Sequence, residues 1–378
     1  MSLTEEQIII RDTARQYAGE KLAPFAAERD QACEVPRDVI EEMGAIGLLG
    51  VTVDPDWGGA GADHVAYVLA LEAIAGGDGG VSTIMSLTNS PVAAILETYG
   101  TTEQKERYLK PIATGAMTTS FALTEPHTGS DASNLKTRAE RKGNHWVING
   151  TKQFISAGST SDVCITFVVT DPSAGKKGIS AFMVPTDAEG YVVAAKEKKL
   201  GQRSADLCQI IYDNVEVTPD TMIGEEGHGY KIALENLSTG RIGIGAQATG
   251  FAQAAYDAAL AYAKERESFG KPIIEHQAVA WRLADMATEI EAARQLVLHA
   301  ARLKDAGEPC LKEASMAKLF ASEMSERVCS AAIQTFGGYG YTGDFPVERY
   351  YRDCRVCQIY EGTSDVQRMV ISRSIAEA

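Results

Sequence analysis

The chain has 378 residues, of which 45% are hydrophobic, 23% charged and 7% aromatic, the composition of a soluble globular protein of two or three domains. Acidic residues outnumber basic ones by 51 to 36, a formal charge of −15, which speaks against a nucleic-acid or anionic-membrane surface, since both need a basic stripe. No uncharged apolar run reaches the roughly 18 residues of a membrane helix, and Met1-Ser2-Leu3-Thr4-Glu5-Glu6-Gln7 lacks the basic and apolar regions of a secretory signal.

Residues 1–120 read as an N-terminal α-helical domain. Thr4 and Gln7 have the spacing of a capping box, Leu3 and Ile8 that of a hydrophobic staple, and Ile10, Ala14, Tyr17 and Ala18 follow on one helical face. Pro36 sits where a helix can begin, and Gly76-Gly77-Asp78-Gly79-Gly80 interrupts the helical pattern. Residues 121–229 change period. Trp146–Gly150 and Lys152–Ile155 read as strand, turn and strand, and Val163–Val169, Ile179–Val184, Tyr191–Ala194 and Gln209–Val217 are further β-branched runs. They predict a middle, antiparallel β-domain, a sandwich or barrel. From 230 to 378 the helical period returns, and Val279, Leu283, Met286, Ile290, Ala293, Val297 and Ala300 form the seam of a C-terminal four-helix bundle. The fold class is α+β, mainly α.

Three motifs carry less than they suggest. Gly338-Tyr339-Gly340-Tyr341-Thr342-Gly343, and the looser Gly243, Gly245, Ala248, follow helical sequence, whereas a dinucleotide fingerprint follows a strand. Glu225-Glu226-Gly227-His228 is a single Glu-x-x-His, where a di-iron bundle needs two. Cys354-Arg355-Val356-Cys357 lacks the second ligand pair of a zinc site, and seven scattered cysteines fit a reducing compartment with buried, unpaired thiols. No metal is expected.

Two segments are richer. Thr124-Glu125-Pro126-His127-Thr128-Gly129-Ser130-Asp131, where helical sequence passes into the β-domain, offers hydroxyls and backbone amides suited to a phosphate or a polar ring edge, or to a capped turn. In Ile359-Tyr360-Glu361-Gly362-Thr363-Ser364, Glu361 lies between an apolar run and a helix start. Burial there would raise its pKa above about 4.3 and make it a better base, while the plain alternative is a solvated helix-start carboxylate.

From end to end the chain resembles the acyl-CoA dehydrogenase family. The motifs that carry the resemblance are Phe121-Ala122-Leu123-Thr124-Glu125-Pro126 with Gly129-Ser130-Asp131, Arg266-x-x-Phe269-Gly270, Gln334-Thr335-Phe336-Gly337-Gly338-x-Gly340, Tyr351-Arg352-Asp353 and Ile359–Ser364. The resemblance implies one non-covalent FAD between the β-domain and the bundle. Phe121, Leu123, Thr124, Gly129 and Ser130 would line it, with Thr124 on the pyrimidine edge, and Phe154, Ile155 and Ser156 would stack on the ring near N5. Arg266, Phe269, Gln277, Gln334, Gly337 and Gly338 would hold the adenine half across a subunit interface, and Thr363, Ser364 and Asp365, at a helix start, would complete the site. The family usually has Trp and Thr where this chain has Phe154 and Ser156, and Asp where it has Ser238.

The implied reaction removes two hydrogens across Cα–Cβ of an acyl thioester, with Glu361 taking the α-proton and hydride passing from the β-carbon to flavin N5. The developing enolate would be stabilised by preorganised donors, the Glu361 backbone amide and a ribityl hydroxyl. Ser130, Ser238, Arg241, Tyr360 and Gly362 would face the acyl-CoA, Arg241 at its nucleotide end, and Ile84–Ser90 the acyl tail. The family's second place for a base is the residue before Arg241, here Gly240, which cannot titrate. The expected protein is a homotetrameric dehydrogenase of short, straight or 2-methyl-branched acyl-CoA in fatty-acid or branched-chain amino-acid breakdown, handing electrons to an electron-transferring flavoprotein. It would reside in the bacterial cytoplasm or, in mature form, the mitochondrial matrix. An acyl-CoA oxidase, a flavin monooxygenase and a catalytically dead helical scaffold are the competing readings.

Overall fold

The computed structural model describes residues 3–377, so Met1 and Ser2 of the amino-terminal segment lie outside it, as does the side chain of Ser238. The amino-terminal part comprises α1 (Glu5–Tyr17), α2 (Ala26–Ala32), α3 (Arg37–Ala45), α4 (His64–Gly77), α5 (Gly79–Leu87), α6 (Ala94–Tyr99), α7 (Thr102–Gln104) and α8 (Lys110–Ala113). The capping box on α1 forms as expected: the Gln7 N–H donates to Thr4 Oγ1 at 3.2 Å and the Thr4 N–H to Gln7 Oε1 at 3.0 Å. Leu3 packs against the core, but Ile8 stays 37% exposed, so the hydrogen-bonded cap and not the staple fixes the entry of the chain. Pro36 precedes α3. The expected break after Gly77 is a single extended residue, Asp78, whose carboxylate caps α5 at Gly80 and Val81 and pairs with Arg29 at 2.8 Å.

Eight strands follow: β1 (Thr119–Ala122), β2 (Arg138–Lys142), β3 (His145–Ser156), β4 (Val163–Val169), β5 (Ile179–Pro185), β6 (Tyr191–Lys196), β7 (Leu207–Val217) and β8 (Met222–Ile223). They run in the order β6-β7-β3-β2-β4-β5-β8, with β1 also on β4. Most pairs are antiparallel; β1 and β2 meet β4 in parallel. The sheet closes over its own core, where Trp146, Ile148 and Ile210 from the β3–β7 half join Cys164, Phe182 and Val184 from the β4–β5 half. Asn149-Gly150 is not the turn its sequence suggests. Gly150, at φ +150°, carries an irregularity within the one long strand β3, and its bare Cα lets Thr137 pack closely.

The carboxy-terminal part is built from α9 (Gly229–Glu265), a short hairpin of β9 (Glu267–Ser268) and β10 (Lys271–Pro272), then α10 (Gln277–Asp305), α11 (Leu311–Phe336), α12 (Val347–Cys354) and α13 (Ser364–Ala376). Leu283, Met286, Ile290, Ala293, Val297 and Ala300 of α10 are buried as their spacing predicts. Helices α9, α10 and α11 pack mutually, α13 lies on α11, and α4 lies on α9, so the two helical regions share one interface along α9. The glycines Gly243 and Gly245 sit within α9, and Gly337 and Gly338 follow α11, which removes any dinucleotide fingerprint from both. Cys354 and Cys357 are fully buried and unpaired. Among the described residues there is no cluster fit to hold a metal ion and no helix long and apolar enough to cross a membrane.

The loop from β1 to β2 is pinned by a buried ion pair. Lys152 Nζ donates to Glu125 Oε1 at 2.8 Å and to the Leu123 carbonyl at 3.0 Å, while the backbone N–H groups of Lys136 and Thr137 donate to the same carboxylate. Burial opposes ionisation of Glu125, but the ammonium and these donors outweigh it and hold its carboxyl below the usual range. Replacing Lys152 by Met leaves a buried carboxylate without its counter-ion. It should cost about 3–5 kcal/mol, read as a lower urea midpoint; an unchanged midpoint would show that the pair does not anchor the loop.

Candidate active site

Past α12 and a short 3₁₀ turn, residues Ile359–Thr363 lead into α13, capped by Thr363 Oγ1, which accepts from the Val366 N–H at 3.3 Å. Glu361 and Gly362 both adopt left-handed backbone, φ +51° and +92°. For a residue with a side chain such a conformation costs of order 1–3 kcal/mol and persists only where neighbours enforce it. Here the Gln367 side-chain amide donates to the Glu361 and Gly362 carbonyls, at 3.2 and 2.8 Å, and Lys318 Nζ donates to the Gly362 carbonyl at 2.6 Å.

This turn lays the Glu361 carboxylate on the bare backbone of α9. A Cβ at Gly240 would overlap it, 2.8 Å from Cδ and 3.0 Å from Oε1. Oε2 is sealed from solvent with no hydrogen-bond partner. Burial pushes the carboxyl up to about 7, against the opposing pull of the Lys318 and Arg241 charges. Tyr67 on α4 feels the same charge: burial and Glu361 together raise its phenol, which lies beside Gly243, one turn along α9. Next to Glu361, the Tyr360 hydroxyl bonds the side-chain carbonyl of Gln247 on α9. Gln247 in turn donates to Ser82 and Thr83 of α5, at 2.7 and 3.1 Å. Gln202 joins this knot from the β-region, bonding Asp353 through its backbone N–H and Thr83 through its side chain.

The first flavin-segment expectation concerns Phe121–Ser130 and Phe154–Ser156, and the fold brings these together. The Gln153 N–H donates to the Thr124 carbonyl at 2.9 Å, so β3 runs directly beside the loop. Phe121 packs on Phe167, Leu123 and Ile155 are buried, and Gly129 and Ser130 are exposed. Phe154 is 58% exposed and, at φ +59°, strained, a large apolar ring turned outward on the ledge that β3 and the Thr124 loop form. A second grouping joins Arg266, Gln334, Gly337 and Gly338 around a hollow of about 490 Å³, with the Arg266 guanidinium 5.9 Å over the Tyr339 ring. Phe269, at the tip of the β9–β10 hairpin and 97% exposed, is likewise left-handed, and Gln277 opens α10 nearby. Thr363, Ser364 and Asp365 stand at the start of α13, where Ser364 Oγ is buried without a partner.

Arg241 stands on α9 beside the base-bearing turn. It is buried, bonds Ser315 at 3.4 Å, has an unpartnered Nε, and sits within the field of Glu361. Its position on α9, next to Gly240, sets its charge beside the carboxylate. Sequence reasoning missed Lys318, Gln367, Gln247 and Gln202. One signal existed: Lys318 falls on the apolar stripe of α11 with Ala314, Ala317 and Ala321, a core position for a charged side chain.

The family descriptions "Acyl-CoA dehydrogenase, N-terminal domain", "middle domain" and "C-terminal domain" match residues 4–116, 120–215 and 227–376. The chain is 42% identical over 374 residues to the "Acyl-CoA dehydrogenase, short-chain specific" of Clostridium acetobutylicum, covering 99% of each. It superposes on butyryl-CoA dehydrogenase of Megasphaera elsdenii with a TM-score of 0.97, at 39% identity, covering 100% of this chain and 99% of that one. It also superposes, with a TM-score of 0.98 at 44% identity and full coverage of both chains, on a chain solved in work on the electron transferring flavoprotein of Acidaminococcus fermentans and flavin-based electron bifurcation. With three matched domains and a full-length relative of this identity, the chain belongs to the acyl-CoA dehydrogenase family and is an oxidoreductase.

Proposed function

We propose that the protein dehydrogenates short-chain acyl-CoA across Cα–Cβ with FAD, using Glu361 as the base that takes the α-proton, and passes the electrons to an electron-transferring flavoprotein. The observation that carries this reading is the Glu361 oxygen held without a partner, dry, strained and flanked by two cations. A carboxylate whose pKa lies near the working pH combines a large ionised fraction with high basicity, which is what abstraction of a weakly acidic α-proton needs.

The residues present fit a flavin nucleotide. The exposed Phe154 ring, the orphan Ser364 hydroxyl at a helix start, and the open backbone beside Gly129, Gly337 and Gly338 are all features that a large, polar, aromatic ligand satisfies. Bound there, FAD supplies the hydride-accepting ring. Thr124, Ser130, Phe154 and Ser156 hold its flavin end, and Thr363–Asp365 bond its polar groups. Arg266, Gln277 and Gln334–Gly338 hold the adenine half of a neighbouring subunit's cofactor in a homotetramer; the outward Phe269 and the open Arg266 support that contact. The Glu361 N–H donates to the thioester oxygen as enolate charge develops, Arg241 Nε offers a further donor, and Tyr360 and Gly362 line the substrate. A short acyl tail is the substrate class that the likeness to short-chain relatives supports, and a 2-methyl branch is proposed with it. The likeness to a chain solved in work on the Acidaminococcus electron transferring flavoprotein supports that class of acceptor.

Glu361→Gln should keep its flavin and lose at least about 10²–10⁴-fold in the rate of flavin bleaching by butyryl-CoA in anaerobic stopped-flow, with near-wild-type bleaching overturning the assignment. In the wild type the rate should rise as Glu361 ionises, with a midpoint near 7, and a flat profile from pH 5 to 9 would contradict the base. Gly240→Ala places a methyl where the carboxylate lies and should lower the same rate by about 10²-fold at unchanged flavin content. Arg266→Ala should release flavin on dilution, measured as the flavin-to-protein ratio after gel filtration; full retention in a monomer excludes the shared site. Peroxide production at the rate of substrate turnover in air would mark an oxidase instead.

A further inference from the structure

Lys318 is fully buried on α11, and its ammonium makes one hydrogen bond, to the Gly362 carbonyl at 2.6 Å. An isolated ammonium gives up its hydration on burial, so a lysine in an alanine-rich stripe needs a reason. The reason lies across the helix interface. The left-handed pair Glu361–Gly362 turns its carbonyls inward, where Lys318 and Gln367 collect them. Without these donors, a glutamate at φ +51° would relax toward ordinary backbone and swing its carboxylate off Gly240.

We propose that Lys318 is a positioning residue for the base: bonded to the Gly362 carbonyl, it holds the Glu361–Gly362 turn in its left-handed form and sets a positive charge behind the Glu361 carboxylate. The inference rests on Glu361 being the base. The charged and titratable groups around that carboxylate are Lys318 from α11, Arg241 from α9, Tyr67 from α4, and Tyr360 with Cys357 on its own segment. Only Lys318 combines a charge with a bond to the turn. Burial draws its own ammonium down to about 8, against the pull of Cys357 and Glu361, so it remains largely charged at neutral pH.

Two substitutions separate the parts of this role. Lys318→Gln can keep a donor for the Gly362 carbonyl but carries no charge, and Lys318→Met has neither. With the FAD-loaded enzyme and butyryl-CoA, anaerobic flavin bleaching is followed from pH 5.5 to 9.5. Lys318→Gln should move the midpoint of the pH–rate profile up by about one pH unit, a loss of roughly five-fold at pH 7, with the limiting rate at high pH nearly retained. Lys318→Met should show the same displacement and a limiting rate at least about ten-fold lower. Gln367→Leu, which removes donors but no charge, should lower the limiting rate without moving the midpoint. An unmoved midpoint in both lysine variants overturns the proposal. So does loss of flavin and cooperative melting in both, which would make Lys318 a folding residue only. A wild type that butyryl-CoA does not bleach would instead refute the assigned reaction, since the lysine variants are read only against a bleaching parent.

Discussion

The burial of one carboxylate oxygen, Glu361 Oε2, constrains the carboxy-terminal half of this molecule. An acidic group can be kept from water only where something fills the space around it and something else tolerates its charge. The filling is done by backbone: α9 presents Gly240 to the carboxylate and Gly243 to the Tyr67 ring, and a Cβ at either place would collide. Glycine inside a helix costs about 1 kcal/mol relative to alanine, and α9, at 37 residues, is long enough and packed on enough sides to carry that cost. The tolerance is supplied by Arg241 and Lys318, drawn from two different helices.

The same constraint explains the polar knot at the seam between the sheet and the helices. A base placed by a strained turn is only as precise as the frame behind it. Tyr360 is tied to Gln247, Gln247 to Ser82 and Thr83, and Gln202 to Thr83 and Asp353. These few bonds join α5, α9, the base-bearing segment and the loop after β6. Asp353, pushed up to about 7 by burial despite the Gln202 N–H, shows how dry that seam is. The ledge that presents Thr124 and Phe154 is fixed by other means, the Glu125–Lys152 pair and the backbone bond from Gln153. The base and the ledge are therefore held by separate sets of buried polar groups.

Sequence made visible what periodicity and local chemistry dictate. The α10 seam, the capping box at Thr4 and the β-branched runs lie where their patterns place them, because each is decided by near neighbours or by alternation. What escaped depends on distant contacts. Asn149-Gly150 has the composition of a hairpin turn, yet pairing of β3 with both β2 and β7 keeps the strand continuous and converts the glycine into an irregularity. The burial of Arg241 beside the Glu361 carboxylate depends on how α9 packs, which no local pattern records. Lys318 shows one sign, its place on the apolar stripe of α11, but nothing within a few residues reveals that the Gly362 carbonyl waits 44 positions along the chain.

The balance at Glu361 also limits how the site can be altered. Burial alone would leave the carboxyl protonated at neutral pH and unable to accept a proton, while full solvation would leave it ionised but too weak a base to compete for an α-proton. The structure sits between these limits by combining a dry Oε2 with two cations that are themselves partly desolvated. Arg241 keeps its charge throughout the working range, whereas burial draws Lys318 down to about 8, so its pull on the carboxylate fades as it loses its proton. Any change that further dries the pocket acts on both titrating groups: it raises Glu361 and lowers Lys318. The pH range over which the base works is therefore a property of the α9–α11 interface as a whole, and substitutions that tighten that interface far from substrate should displace it as surely as those that touch the carboxylate.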